Sequence, residues 1–140
     1  MSLNLESKYV FAFNPKVVRK QFFFQLLWTL IGLTILLFTP YCFVSYFIIV
    51  LAFLVFLFFR TVYKGSYINV TGHQFYFGKV YKTKIDLRDA TRFKSLGQDF
   101  IIKTDRRNFR IRTKYLTIKE RKSLFNFFLD YSNAYGVIFP

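Results

Sequence analysis

The residue types that carry most catalysis are scarce in this sequence. His73 is the only histidine and Cys42 the only cysteine. A nucleophile and its base must come within hydrogen-bond reach of each other, and these two are separated by a long uncharged apolar stretch. Cys42 reads as a small apolar residue, and a lone thiol forms neither an internal disulfide nor a cysteine-based metal site. His73 falls beside Gly72 in a turn between two short β-rich runs, where a solvated polar residue is expected. Asp86, Asp89, Asp99, Asp105, Glu120 and Asp130 are scattered at expected turns, caps and strand ends. Asp86 and Asp89 bracket Arg88 and read as balancing its charge rather than as an acid–base pair. The glycines are isolated and form no phosphate-cradling loop. The expectation is a protein that is not an enzyme and holds no metal or cofactor.

The basic residues say more. In the second half of the chain Lys82, Lys84, Arg92, Lys94, Arg110 and Arg112 alternate with apolar residues and are expected on outward strand positions. Arg106, Arg107, Lys114, Lys119, Arg121 and Lys122 lie close by in sequence. Such a face is either simply solvated or contacts anionic lipid headgroups, where each basic residue contributes about 1 kcal/mol. Nucleic acid is the rival partner for this charge. A stacking platform needs aromatics and cations on one face, whereas Phe93, Phe100 and Phe109 alternate with the basic residues and so point the other way.

Two adjacent apolar runs must position this surface. Residues 22–39 and 41–59 carry no charge, and no charged residue occurs anywhere in 21–59. A helix crossing a hydrocarbon core of ~30 Å needs roughly 17–25 residues, which both runs supply. The rest of the chain is too small to bury two helices that are apolar on every side. The uncharged polar members Gln25, Thr29, Thr34 and Ser45 can bond within their helices or across the pair. Asn14-Pro15 reads as a helix start, and Pro40 leaves room only for a turn. The expectation is a membrane hairpin over 15–63, with helices at about 15–39 and 41–60 packed antiparallel.

Composition fits this split. The chain is 54% hydrophobic, with 21 Phe and 10 Tyr, yet its net charge is +14. Residues 60–140 hold 17 basic and 6 acidic side chains, so the charge and the grease sit in different segments. Lys16, Arg19 and Lys20 precede the first run and Arg60 and Lys64 follow the second, while the turn between is neutral. By the positive-inside rule both termini then face the cytoplasm. Trp28, Tyr41, Tyr46 and Tyr63 are candidate interface anchors, with packing an equal alternative for Trp28 and Tyr46. No signal-peptide pattern opens the sequence, so the first run is expected to stay as an anchor.

After residue 64 the pattern becomes short alternating runs at 67–71, 74–77, 79–87, 91–95, 98–104 and 109–113, separated by turn residues. In 79–87, Tyr81, Thr83, Ile85 and Leu87 are expected to face inward. Thr117 and Glu120 fit a capping box opening a helix over about 117–132, with Ile118, Leu124, Phe125, Phe128 and Tyr131 on its buried face. Strands followed by one helix, with no βαβ alternation, indicate an α+β roll or barrel. Residues 124–129 and the tail 137–140 carry more apolar surface than one sheet needs, which points to a partner, an oligomer or the bilayer surface.

The layout of two apolar helices joined by a tight turn, then strands including the segment Lys84-Ile-Asp-Leu-Arg-Asp-Ala-Thr-Arg-Phe93, then a Thr-x-x-Glu helix, resembles the bacterial PH-like membrane proteins of the YcxB-like kind. The resemblance covers nearly the whole chain and rests on layout and hydropathy. It implies an α+β membrane protein whose hairpin carries a small antiparallel PH-like β-roll over 64–140, capped by the C-terminal helix. It also implies that a strand within the N-terminal segment 1–14, such as 9–13, joins the sheet, and it brings no catalytic residues. The expected role is non-enzymatic. The basic module would bind a protein partner, anionic lipid headgroups or both at the cytoplasmic face of the bacterial inner membrane. The alternatives are a small immunity or inhibitor protein protecting against a toxin, and a subunit of an oligomeric membrane assembly. Absence of ionisable groups inside the hairpin argues against a transport pathway.

Overall fold

The computed structural model describes residues 8–39 and 43–139. Pro40, Tyr41 and Cys42, and with them the expected turn and one candidate anchor, lie outside the described residues, as does the side chain of Ser45. The chain forms two compact units, one of residues 15–65 and one of residues 1–14 with 66–140.

The first unit is a pair of helices, α1 (Pro15–Phe38) and α2 (Phe43–Lys64). Both are long and apolar enough to cross a membrane, with mean hydropathy 1.8 and 2.3 over their apolar windows, of which only 11% is buried. The pair is antiparallel: Phe22 meets Phe56 with ring centroids 5.5 Å apart, and further along α1 Gly32 faces Ile48 and Ile49. α1 starts at Pro15 as expected. α2 runs on to Lys64, past the expected end near residue 60. Hydropathy marks where an apolar run stops, but Thr61, Val62 and Tyr63 do not break a helix.

The polar residues of α1 divide their bonding as their side-chain lengths dictate. Thr29 and Thr34 donate back to the carbonyls of Gln25 and Leu30 within the helix. Gln25 is longer, is buried, and reaches across to donate Nε2–H to the Ala52 carbonyl at 2.7 Å.

The second unit is α+β. A four-stranded antiparallel sheet has the order β1 (Tyr9–Ala12), β2 (Ser66–Thr71), β3 (Gln74–Phe77), β4 (Thr83–Asp86). A three-stranded antiparallel sheet follows, with β5 (Ala90–Leu96), β6 (Asp99–Thr104) and β7 (Asn108–Ile111) in sequence order. The strand preceding the helix pair therefore lies beside the strand that follows it, in the register Tyr9↔Val70 and Phe11↔Ile68. α3 (Ile118–Tyr135) closes the unit.

Core composition follows strand alternation. Phe11, Ile68, Val70, Phe75 and Ile85 of the first sheet are buried, as are Phe93, Phe100, Ile102 and Ile111 of the second. α3 covers both: Phe128 lies 4.7 Å from Phe93, 5.3 Å from Phe100 and 5.7 Å from Phe75, ring centre to ring centre. Thr117 and Glu120 form the expected capping box, each side chain accepting from the other's backbone amide. Glu120 also accepts from the Ala12 amide at 3.1 Å, tying the end of β1 to the first turn of α3. Gly136, at φ 68°, ends the helix in the left-handed region that favours glycine.

Two expectations are corrected. The buried stripe of α3 is Leu124, Phe127, Phe128 and Tyr131, an i, i+3, i+4, i+7 set. Ile118 is 84% exposed and Phe125 is also exposed, because neither falls on that stripe. Residues 79–82 are not strand, and Tyr81 is not inward: it is 88% exposed. Gly78 has φ 137°, and a Cβ there would run into the Tyr81 carbonyl. A loop over 78–82 thus interrupts the alternation before β4 begins.

Candidate functional site

The six cations expected on one outward surface divide between two sheets and a loop. The outward face of β5–β7 carries most of them. Register places Lys94 opposite Ile101, and Ile101 opposite Arg110, while Arg92 lies opposite Lys103. Neighbouring strands are ~4.8 Å apart, so these side chains form a compact cationic patch. Arg112 continues the β7 alternation just beyond its end and is exposed. Lys103 belongs to the patch although the spacing of basic residues alone did not single it out. Only the pairing register reveals it as the neighbour of Arg92.

The members differ in how they are held. Arg110 donates Nε–H to Asp99 at 2.8 Å, and Asp99 also accepts from the Thr113 amide. Its charge is therefore partly committed. Among the described residues no carboxylate pairs with Arg92, Lys94 or Lys103. Arg92 is half-buried beside the C-terminal tail, where the Phe93 amide donates to the Ile138 carbonyl at 2.8 Å. Its Nε is a buried donor with no acceptor among the described residues. A buried donor left unsatisfied costs about 1–3 kcal/mol, so an acceptor brought to this position gains more than at an ordinary exposed arginine.

Lys84 stands apart, on the outward face of β4, opposite Tyr76 in register and 5.9 Å from its ring centre. Lys82 is corrected more sharply. It is not a free outward strand cation: its ammonium donates to the carbonyls of Ser66, Tyr67 (3.2 Å) and Gly78 (3.0 Å). Burial lowers its pKa from the usual lysine value. An ammonium has three donors, and here backbone carbonyls take them.

The five basic residues expected at a membrane surface share one end of the helix pair. Lys16, Arg19 and Lys20 occupy the first two turns of α1 and Arg60 and Lys64 the last turns of α2. Because the helices are antiparallel, all five fall at the same end of the pair. Trp28 and Tyr46 are exposed, so neither packs into the helix pair, whereas Tyr63 is buried and stacks on Phe59.

Aromatic rings stay off the cationic face. Phe93 and Phe100 are buried, and Phe109 lies on the inner side with Phe77. His73 is not a simple solvated turn residue. Its Nδ1 lies 2.8 Å from the Tyr131 hydroxyl, and its ring meets those of Tyr131 and Tyr135 edge-on. Asp86 is bound by the Arg88 guanidinium at 2.6 Å, as the charge-balancing reading of that stretch anticipates. Among the described residues no three His, Cys, Asp or Glu side chains converge as a metal site would require. Compared with protein families, curated proteins and solved structures, the chain gives no match in any of the three.

Proposed function

We propose that this chain is a non-enzymatic membrane protein. In this reading α1 and α2 span the bacterial inner membrane with both termini in the cytoplasm, and a PH-like module presents a cationic sheet face to an anionic partner, chiefly phospholipid headgroups. Support for the membrane part comes from two long apolar helices whose surface the chain itself leaves uncovered. Pairing of β1 with β2 brings the chain segments before and after the helices into one sheet, which fits a hairpin that enters and leaves on one side. The five basic residues at that end of the helices fit the positive-inside rule. Four- and three-stranded antiparallel sheets closed by a C-terminal helix agree with the PH-like roll of the YcxB-like proteins.

The observation that carries the binding function is the Arg92–Lys94–Lys103 patch, whose cations have no carboxylate partner, and whose Arg92 Nε has no acceptor, among the described residues. A headgroup phosphate offers both charge and acceptor oxygens. The test is native mass spectrometry of the full chain released from micelles holding equal phosphatidylglycerol and phosphatidylcholine. Wild type should retain phosphatidylglycerol preferentially, and the R92E/K94E/K103E variant should lose that preference. Equal retention by both proteins would remove the lipid reading, and pull-down in mild detergent would then address a protein partner.

A further inference from the structure

A second cationic and aromatic cluster lies away from the sheet face, around the loop between β3 and β4. Lys82 fastens that loop by its contacts with Ser66 and Tyr67. Ser66 follows Lys64, the last residue of α2, by two positions. On the other side, Lys82 Nζ lies 5.9 Å from the ring centre of Phe13, two residues before α1 begins. Phe13 packs on Tyr67, and Tyr67 on Tyr115, with ring centres 5.5 and 5.3 Å apart. The Asn14 amide donates to the Tyr115 carbonyl at 2.6 Å. Lys79 and Lys114 stand over the Tyr115 ring at 4.2 and 5.2 Å. Lys82 thus ties the loop to the start of β2 and to the residues that follow β1, all within one unit.

Its tip carries Val80 and Tyr81, both exposed. Two apolar side chains are far too few for a protein interface, which takes about 800 Å² per partner. Aromatics flanked by lysines are what the interfacial layer of a bilayer accommodates: rings at headgroup depth, ammonium groups among phosphates.

We propose that residues 79–82 form a bilayer-inserting loop, with Val80 and Tyr81 entering the headgroup layer and Lys79 and Lys114 meeting anionic lipid phosphates. This rests on the reading that α1 and α2 span a membrane, but not on the Arg92 patch. Lys82 is then a positioning residue that fixes the loop to the start of β2.

The test uses the full chain carrying Cys42→Ser and one nitroxide at a time, introduced through Tyr81→Cys, Leu54→Cys or Asn133→Cys. The protein is reconstituted in bilayers of phosphatidylcholine with phosphatidylglycerol. All three sites are exposed, so the labels leave the core intact, and Asn133 lies on α3, away from the cationic face of β5–β7. Collision with dissolved oxygen and with a water-soluble nickel chelate reports depth. The nitroxide at position 81 should show a severalfold loss of nickel accessibility relative to position 133, and position 54 should be oxygen-exposed and nickel-shielded. If position 54 behaves so but position 81 is as nickel-accessible as position 133, the loop proposal falls and the membrane reading stands. A nickel-accessible position 54 overturns both. In phosphatidylcholine alone, position 81 should partly regain nickel accessibility. An unchanged value would overturn the assignment of Lys79 and Lys114 to phosphates.

Discussion

Gln25 on α1 and Ala52 on α2 are joined by a side-chain amide donating to a backbone carbonyl at 2.7 Å, at a point where both residues are buried. Two turns further along α1, Gly32 is the other buried residue of that helix, and its Cα side faces Ile48 and Ile49. A Cβ placed on Gly32 would lie 3.0 Å from Ile48 Cγ2. One seam thus combines a polar crosslink with a close backbone approach, the pairing favoured between helices in an apolar medium.

The first prediction concerns this seam. Gln25→Leu should lower the stability of the helix pair by about 0.6 kcal/mol, up to about 1.7, the range for cross-helix hydrogen bonds in a bilayer. Gly32→Val adds a Cβ and two methyl groups where the Cβ alone is tight, and should cost more. The sites are about 10 Å apart along the helix, so the double variant should be near additive. Unfolding midpoints in mixed micelles measure this. An unshifted Gln25→Leu midpoint would show that Gln25 contributes nothing across the pair.

A second prediction concerns Glu120, which caps α3 and also accepts from Ala12. Glu120→Ala should cost about 1–2 kcal/mol, the range for a lost cap with an added tertiary contact. Amide exchange should quicken at Ala12 as well as at Thr117, since both amides donate to Glu120. Glu120→Gln keeps an acceptor and should be milder. Faster exchange at Thr117 alone would mean that β1 is held by its ladder without Glu120.

Local signals made some elements readable in advance. Thr117 and Glu120 announce the start of α3 because a capping box is a four-residue chemical pattern. Gly72 and Gly78 bracket β3 because both adopt positive φ. Gln25 stood out as an uncharged polar residue in an apolar run. What failed was decided by distant partners. Lys82 looked like an outward strand residue, but its fate is set by carbonyls of Ser66 and Tyr67, some sixteen residues away. Lys103 joins Arg92 only through the β5–β6 register, which includes an irregularity between Ala90 and Arg92. Counting alternation cannot reveal a bulge. His73 gave no sign of Tyr131, its partner from α3.

The third prediction is a titration. Arg88 hydrogen bonds hold the Asp86 carboxyl down to about 2 from its usual 3.8, against a smaller raising effect of partial burial. A depressed carboxylate contributes stability that is present above the unfolded value and lost as pH falls through the folded one. Stability should therefore decline between about pH 4 and pH 2, and Asp86→Asn should flatten that part of the profile. Carbon-detected NMR of the carboxyl gives the check: a midpoint near 3.8 would show the pair broken in solution.

The last prediction follows from Tyr131, whose hydroxyl meets His73 while its ring is wholly buried among Phe93, Phe127 and Tyr135. Burial is the main reason its pKa is pushed up to about 12 from 10.0. A raised pKa means that the folded state holds the phenolic proton more tightly, so the associated stability is intact below pH 10 and lost as pH rises towards 12. Tyr131→Phe keeps the ring packing and removes both the bond to His73 and this alkaline dependence. It should cost about 1 kcal/mol at neutral pH, the net worth of one hydrogen bond, and progressively less above pH 10. Denaturation curves of both proteins at pH 7 and pH 11 test the sign. A difference that grows with pH would show that the hydroxyl, not its burial, governs the alkaline behaviour of this corner of the fold.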